Sequence, residues 1–136
     1  MRLLYQDLIS KLPRQQLLGQ HRECCALRGK GWGRKHATVD YVFTHSPSLL
    51  VAYHWLIMDE MEYRGYHPDP IWKKVDWRGT CLGFDTSFAN PDIVEEYYYY
   101  AKEKGENIYP EHNDEYLQEC IDNLKGKGID IESQYQ

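Results

Sequence analysis

Apolar residues recur along this chain at the three- and four-residue intervals of amphipathic helices, and three of the runs are bounded at both ends by start and stop residues. The first strong run opens at Pro13, suited to a helix's first turn, and stops at Gly29. Within it Leu17, Leu18, His21, Cys24, Cys25 and Arg28 share one face, and Gln15, Gly19, Arg22, Glu23 and Ala26 another. Ser46 as cap and Pro47 as first residue begin a second helix, with Leu49, Tyr53, Leu56, Ile57 and Met61 as its core stripe and Gly65 as its stop. Asn90, Pro91 and Gly105 frame a third, whose four tyrosines, 97–100, cover all its sides. A last helix is predicted from about Asp114 to Lys125, with Tyr116, Leu117, Cys120, Ile121 and Leu124 inward. Residues 1–12 read as a short amphipathic segment and 66–90, rich in Trp, Gly, Pro and Asp, as irregular chain. With no strand pattern and no repeat, the expected fold is all-α, a single compact domain of four to five helices spanning 1–136.

The formal charge of −5 argues by itself against a nucleic-acid binder, but its distribution changes that picture. Residues 1–36 hold eight Lys/Arg against Asp7 and Glu23, a balance of +6, whereas residues 37–136 hold eight against nineteen acids, a balance of −11. A basic working face and an acidic back follow, and local field rather than net charge steers a ligand. Glu23 stands among Lys11, Arg14, Arg22, Arg28, Lys30, Arg34 and Lys35. One acid ringed by cations reads as a reaction site facing an anionic ligand, most economically a phosphate backbone.

The four cysteines, 24, 25, 81 and 120, accompany no signal peptide and no long apolar run, so free thiols, a cytoplasmic location and no membrane association are expected. Cys24 and Cys25 read as small core residues. His21 and Cys24 have helical spacing for a shared metal, but no matching second pair follows, and no metal or cofactor is predicted. Trp32, between glycines, is either a wedge on a mobile loop that enters a groove or fills the gap left by an extruded base, or an anchor folded back on the core.

Leu12, Gln15 and Leu17, then Arg22-Glu23, then Arg34-Lys35-His36 beyond a glycine-containing loop, and Ser46-Pro47 before an apolar helix ending Arg64-Gly65-Tyr66, resemble the pyrimidine-dimer DNA glycosylases, typified by phage endonuclease V. The likeness covers roughly residues 1–70. It implies a DNA-repair glycosylase with abasic-site lyase activity on double-stranded damaged DNA, using the chain's own α-amine as nucleophile and one glutamate as acid/base. By position that glutamate is Glu23, beside the phosphate-pocket Arg22. Arg2 is too large for the usual trimming of an initiator methionine, so the implied nucleophile is the Met1 amine, held by packing of Leu3, Leu4 and Leu8 on the following helix. The DNA-binding set is then Arg2, Arg14, Arg22, Arg28, Lys30, Trp32, Arg34, Lys35 and His36, with Arg22, Arg34 and Lys35 on one face with Glu23. The chain departs from the family at Ala26, where Arg28 can substitute for a basic residue, at Gln16, where the family has histidine, and in its acidic tail.

Two other readings compete. One is a non-catalytic nucleic-acid-binding module in which Glu23 merely pairs with Arg22, Arg28 or Arg34. The other is a hydrolase or metal protein using His21, His36, His54 and the cysteines.

Overall fold

The structure, a computed structural model, describes residues 2–131. Four α-helices carry the fold: α1 (Arg14–Arg28), α2 (Pro47–Tyr63), α3 (Pro91–Lys104) and α4 (Asp114–Gly126). Short 3₁₀ turns lie before α1 at Gln6–Lys11, between α1 and α2 at Asp40–Thr44 and between α2 and α3 at Pro70–Lys73. No strand occurs among the described residues; Trp77 and Phe84 form an isolated antiparallel bridge. The fold is all-α, as the periodicity predicts.

The caps explain where the helices start. Ser46 accepts a hydrogen bond from the Ser48 N–H at the head of α2, Asn90 from Asp92 and Ile93 at the head of α3, and Asn113 from Tyr116 at the head of α4. Each side chain satisfies a backbone donor that has no partner within its own helix. Gly105 ends α3 at φ 67°, a left-handed conformation that suits glycine.

α2 is the central element, with α1 and α3 packed against it. Its Leu49–His54 stretch is buried on every side, so the predicted stripe is too narrow. Leu3, Leu4, Leu8, Leu17, Cys24, Leu50, Ile57, Val94, Cys120 and Leu124 share one contiguous core, which places the N-terminal segment, all four helices and their interior cysteines around a single apolar interior.

After α1 the chain doubles back sharply. The Gly31 N–H donates to the Ala26 carbonyl at 2.9 Å, and a Cβ at Gly31 would sit 2.7 Å from that oxygen, so this return needs glycine. The tight turn carries Trp32 inward, edge-on to Phe43 and Phe88 at ring separations of 5.0 and 5.6 Å. The groove-entering reading of Trp32 is therefore corrected: its ring is packed on the core, where two aromatic edges and the buried area hold it. Of the tyrosine run, Tyr98 packs on Trp55 and donates to Asp59, while Tyr97, Tyr99 and Tyr100 are exposed.

Candidate active site

The start of the chain is fastened to α1 by buried side chains. Gln20, 3 % exposed, donates its amide N–H to the Arg2 carbonyl at 2.9 Å and accepts from the Leu4 N–H at 3.0 Å. The Tyr53 hydroxyl from α2 donates to the Leu4 carbonyl at 2.6 Å. Tyr116 from α4 and Tyr41 both donate to the Leu3 carbonyl. His112 supports Tyr41 at 2.8 Å and accepts from the Gln6 N–H through Nδ1, so its proton sits on Nε2. Burial pushes His112 down to about 3, which keeps the ring neutral in this network. Chain ends ordinarily fray; here three successive carbonyls are held.

Beside this segment lies a concavity of about 410 Å³. Arg2 and Leu4 line it from the N-terminal segment, and Gln15, Gln16, Gly19, Gln20 and Arg22 from α1. His36 and Thr38 line it from the following loop, and Asn123, Leu124 and Lys127 from α4 and its end. Three basic side chains, Arg2, Arg22 and Lys127, thus line one hollow; Arg22 and Lys127 are exposed, and Arg2 also pairs with Glu119 at 3.8 Å. The Thr38 hydroxyl lies 2.9 Å from His36 Nδ1, and the His36 N–H donates to Asp40 at 2.7 Å, so the loop arm is braced. This set suits a phosphate-bearing ligand.

Glu23 follows Arg22 on α1 and is half-buried. It does not line the concavity, whose α1 wall ends at Arg22. Among the described residues its carboxylate makes no ion pair, and the cations nearest in sequence are engaged elsewhere or exposed. The reading of Glu23 as a mere ion-pair partner of Arg22, Arg28 or Arg34 finds no contact to rest on. Met1, the candidate nucleophile, lies outside the described residues.

The remaining predicted residues scatter. Arg14 lies over the Tyr66 ring at 5.2 Å, and Lys30 borders a different cavity with Cys25, Trp72 and Arg78. Arg34 and Lys35 are exposed on the loop before His36 but do not line the concavity, so the shared face with Glu23 reduces to Arg22.

Arg28 is a clear correction. It is fully buried, donating to the carbonyls of Trp72, Lys74 and Trp77 at 2.6, 2.7 and 2.9 Å. Desolvation lowers it to about 10, yet it remains a cation at neutral pH. Its three carbonyl partners make it a staple between the end of α1 and the irregular 70–77 segment, and no surface is left for a phosphate.

Arg28 also organises a second polar cluster. Its Nη1 lies 3.0 Å from His54 Nδ1, and since arginine only donates, that nitrogen accepts and the His54 proton sits on Nε2. Nε2 is 2.8 Å from His21 Nδ1, and Cys25 Sγ lies 3.8 Å from His21 Nε2 and 3.9 Å from His54 Nε2. His21, Cys25 and His54 have their donor atoms within 4.8 Å of one another, a soft-donor trio that by type would suit zinc or copper. The partner of His21 is thus Cys25 and not Cys24, which is buried in the core. As arranged, however, Arg28 directs a proton onto the nitrogen that a metal would need. Burial lowers both histidines and raises Cys25 to about 12, so the cluster is a chain of neutral groups with no ready thiolate.

Sequence reasoning missed Gln20, Asn123 and Lys127. Gln20 had a signal: Leu17, Gln20, Cys24 and Leu27 follow the three–four spacing of a core seam, and all are buried. Asn123 and Lys127 had none, since only the packing of α4 brings them to the hollow.

No helix among the described residues is long and apolar enough to cross a membrane. Neither curated proteins nor solved structures match the chain. A model of the family described as pyrimidine dimer DNA glycosylase does match, over residues 1–74. That span is more than half the chain and contains the fastened start, α1, the His36 loop and α2, so the chain belongs to the pyrimidine dimer DNA glycosylase family, whose substrate is damaged DNA.

Proposed function

We propose that this protein is a DNA glycosylase with abasic-site lyase activity on pyrimidine dimers or related base lesions, with the Met1 α-amine as nucleophile and Glu23 as acid/base. The observation that carries this reading is the fastening of Arg2, Leu3 and Leu4 by Gln20, Tyr53 and Tyr116, beside a hollow that Arg2 and Arg22 make basic.

An α-amine has a pKa of about 7.7–8.0, so a useful fraction is neutral at pH 7, whereas a lysine amine near about 10.4 is almost wholly protonated. The amine attacks C1′ of the lesion's deoxyribose, and the base leaves with its bonding pair and takes up a proton. The amine nitrogen loses its protons as the sugar ring opens to an imine. Removal of a 2′ proton then expels the 3′-phosphate, cutting the strand. Glu23 stabilises the cationic sugar and carries these protons. Arg2, Arg22 and Lys127 hold the flanking phosphates, and His36, braced by Thr38, completes the rim. Arg34 and Lys35 lend the approach to the hollow a positive field.

Borohydride trapping on an abasic-site duplex tests the reading. Protein with its authentic start should form a covalent adduct, and protein carrying tag residues ahead of Met1 should form none while still binding DNA, because acylation removes the amine's nucleophilicity. Equal trapping by both forms overturns the assignment of Met1. Binding without trapping by either favours the non-catalytic module.

A further inference from the structure

We infer that Gln20 is a positioning residue for strand cleavage, locking the backbone at the start of the chain in register with Glu23. The inference rests on the amine reading above and deepens it. Of the bonds that hold residues 2–4, those to the Leu3 carbonyl come from Tyr116 and Tyr41, and Leu4 is held by Tyr53 as well as Gln20. The Arg2 carbonyl is held by Gln20. Among the described residues Gln20 is therefore the outermost side chain fastening the backbone at the start of the chain.

The chemistry at this point calls for a carboxamide. One end must donate to a carbonyl and the other must accept from an N–H, and both contacts are shielded from water by a side chain that is 3 % exposed. Gln20 also stands three residues before Glu23 on α1, so the two side chains leave the helix on neighbouring positions, about 5–6 Å apart at Cβ. A single rigid helix thus carries both the clamp on the nucleophile's strand and the acid/base. Removing the clamp leaves Leu3 and Leu4 tied down and the Arg2 backbone without its Gln20 partner, so that Arg2 is held through its side chain, by the 3.8 Å ion pair with Glu119. Loss of alignment of that kind costs on the order of a hundredfold in rate when the reacting atom drifts by about 1 Å.

Two substitutions make this testable. Gln20→Met keeps length and apolar volume but removes both hydrogen bonds. Gln20→Glu carries a group whose fit depends on protonation. A neutral carboxylic acid donates once and accepts once, as the amide does, whereas an ionised one turns an oxygen toward the Arg2 carbonyl. Tyr53 faces the residue from α2, while Arg2, Arg22, His36 and Lys127 share the hollow it borders. All of these are common to both proteins, so the ratio of variant to wild type isolates the introduced carboxyl.

The experiment is single-turnover cleavage and borohydride trapping on an abasic-site duplex at saturating authentic-start protein. It is accompanied by affinity for a duplex with a tetrahydrofuran abasic analogue and by thermal melting. At saturating protein Gln20→Met should cleave on the order of a hundredfold more slowly, while affinity for the analogue falls only a few-fold through the loosened Arg2. For Gln20→Glu, the cleavage rate relative to wild type should rise as the pH falls. A merely structural role predicts a lowered melting temperature with wild-type cleavage at temperatures where the variant is folded, and a flat ratio for Gln20→Glu. Either outcome overturns the inference. If Gln20→Met does not fold, the pH course of Gln20→Glu decides alone. Absence of a borohydride adduct with wild-type protein overturns the amine reading itself, and Gln20 then has no nucleophile to position.

Discussion

Arg22 and Arg28 lie six residues apart on one helix, in the same basic run, and the fold uses them in opposite ways. Arg22 is exposed beside an open hollow, facing Arg2, His36 and Lys127. Arg28 is buried, with three carbonyls and His54 as its partners. The lesson is that a cation's role follows from whether its donors are already satisfied. A guanidinium with buried carbonyl acceptors is structural even inside a cluster that looks like a phosphate site. One left without acceptors at a concave surface is available to a ligand. The same contrast separates the two polar faces of α1: one is open and basic, and the other is closed, neutral and hydrogen-bonded through His21, His54 and Cys25.

The comparison breaks most readily on the buried side. Arg28→Met should destabilise the protein by about 2–4 kcal/mol, because several buried acceptors lose their donor at once, with part recovered by removing a desolvated cation. Urea unfolding measures it, and a loss below about 0.5 kcal/mol, the usual range for a surface change, would return Arg28 to the surface class.

Acid should act on the buried histidines as well, those of the closed face and His112 beside the N-terminal segment. His21, His54 and His112 have depressed pKa values, with burial the largest cause, and His112 lies at about 3. The unfolded chain therefore binds more protons than the folded one below the ordinary histidine pKa of about 6.5. Stability is complete above about pH 6.5 and declines as the pH falls toward 3, by on the order of a few kcal/mol for His112 alone. Melting temperature recorded from pH 8 to 4 checks the sign; a protein that becomes more stable over that acid range contradicts these neutral histidines.

On the open face the expected effects are on chemistry and affinity. Glu23→Gln should slow strand cleavage by on the order of a hundredfold or more, with folding and DNA affinity kept. Unchanged cleavage removes Glu23 from the mechanism. The smallest effect is assigned to Arg22→Ala. It should leave stability within about 0.5 kcal/mol, weaken binding, and reduce the slope of log affinity against log salt by about one. An unaltered slope means that Arg22 touches no phosphate.

Much of this was legible from local rules. The capped starts at Ser46 and Asn90 and the stop at Gly105 are short-range hydrogen-bonding choices, and those helices begin and end where these residues fall. The basic opening third and the Arg22-Glu23 pair also stand in the linear order. Less legible was the polar content of the core. Gln20 occupies a seam position among Leu17, Cys24 and Leu27, and its amide is matched to backbone groups sixteen and eighteen residues away. The tyrosine at 116 reaches the Leu3 carbonyl across most of the chain.

The amino-acid order by itself determined the all-helical class, the helix boundaries, the charge asymmetry and the family, because caps, periodicity and motif spacing act over a few residues. Tertiary structure alone decided which cations stayed free, that Trp32 folded inward, that Cys25 rather than Cys24 meets His21, and that α4 supplies Asn123 and Lys127 to the hollow. Those outcomes depend on which helix faces meet, and packing sets that by excluding water from some polar groups and leaving others exposed.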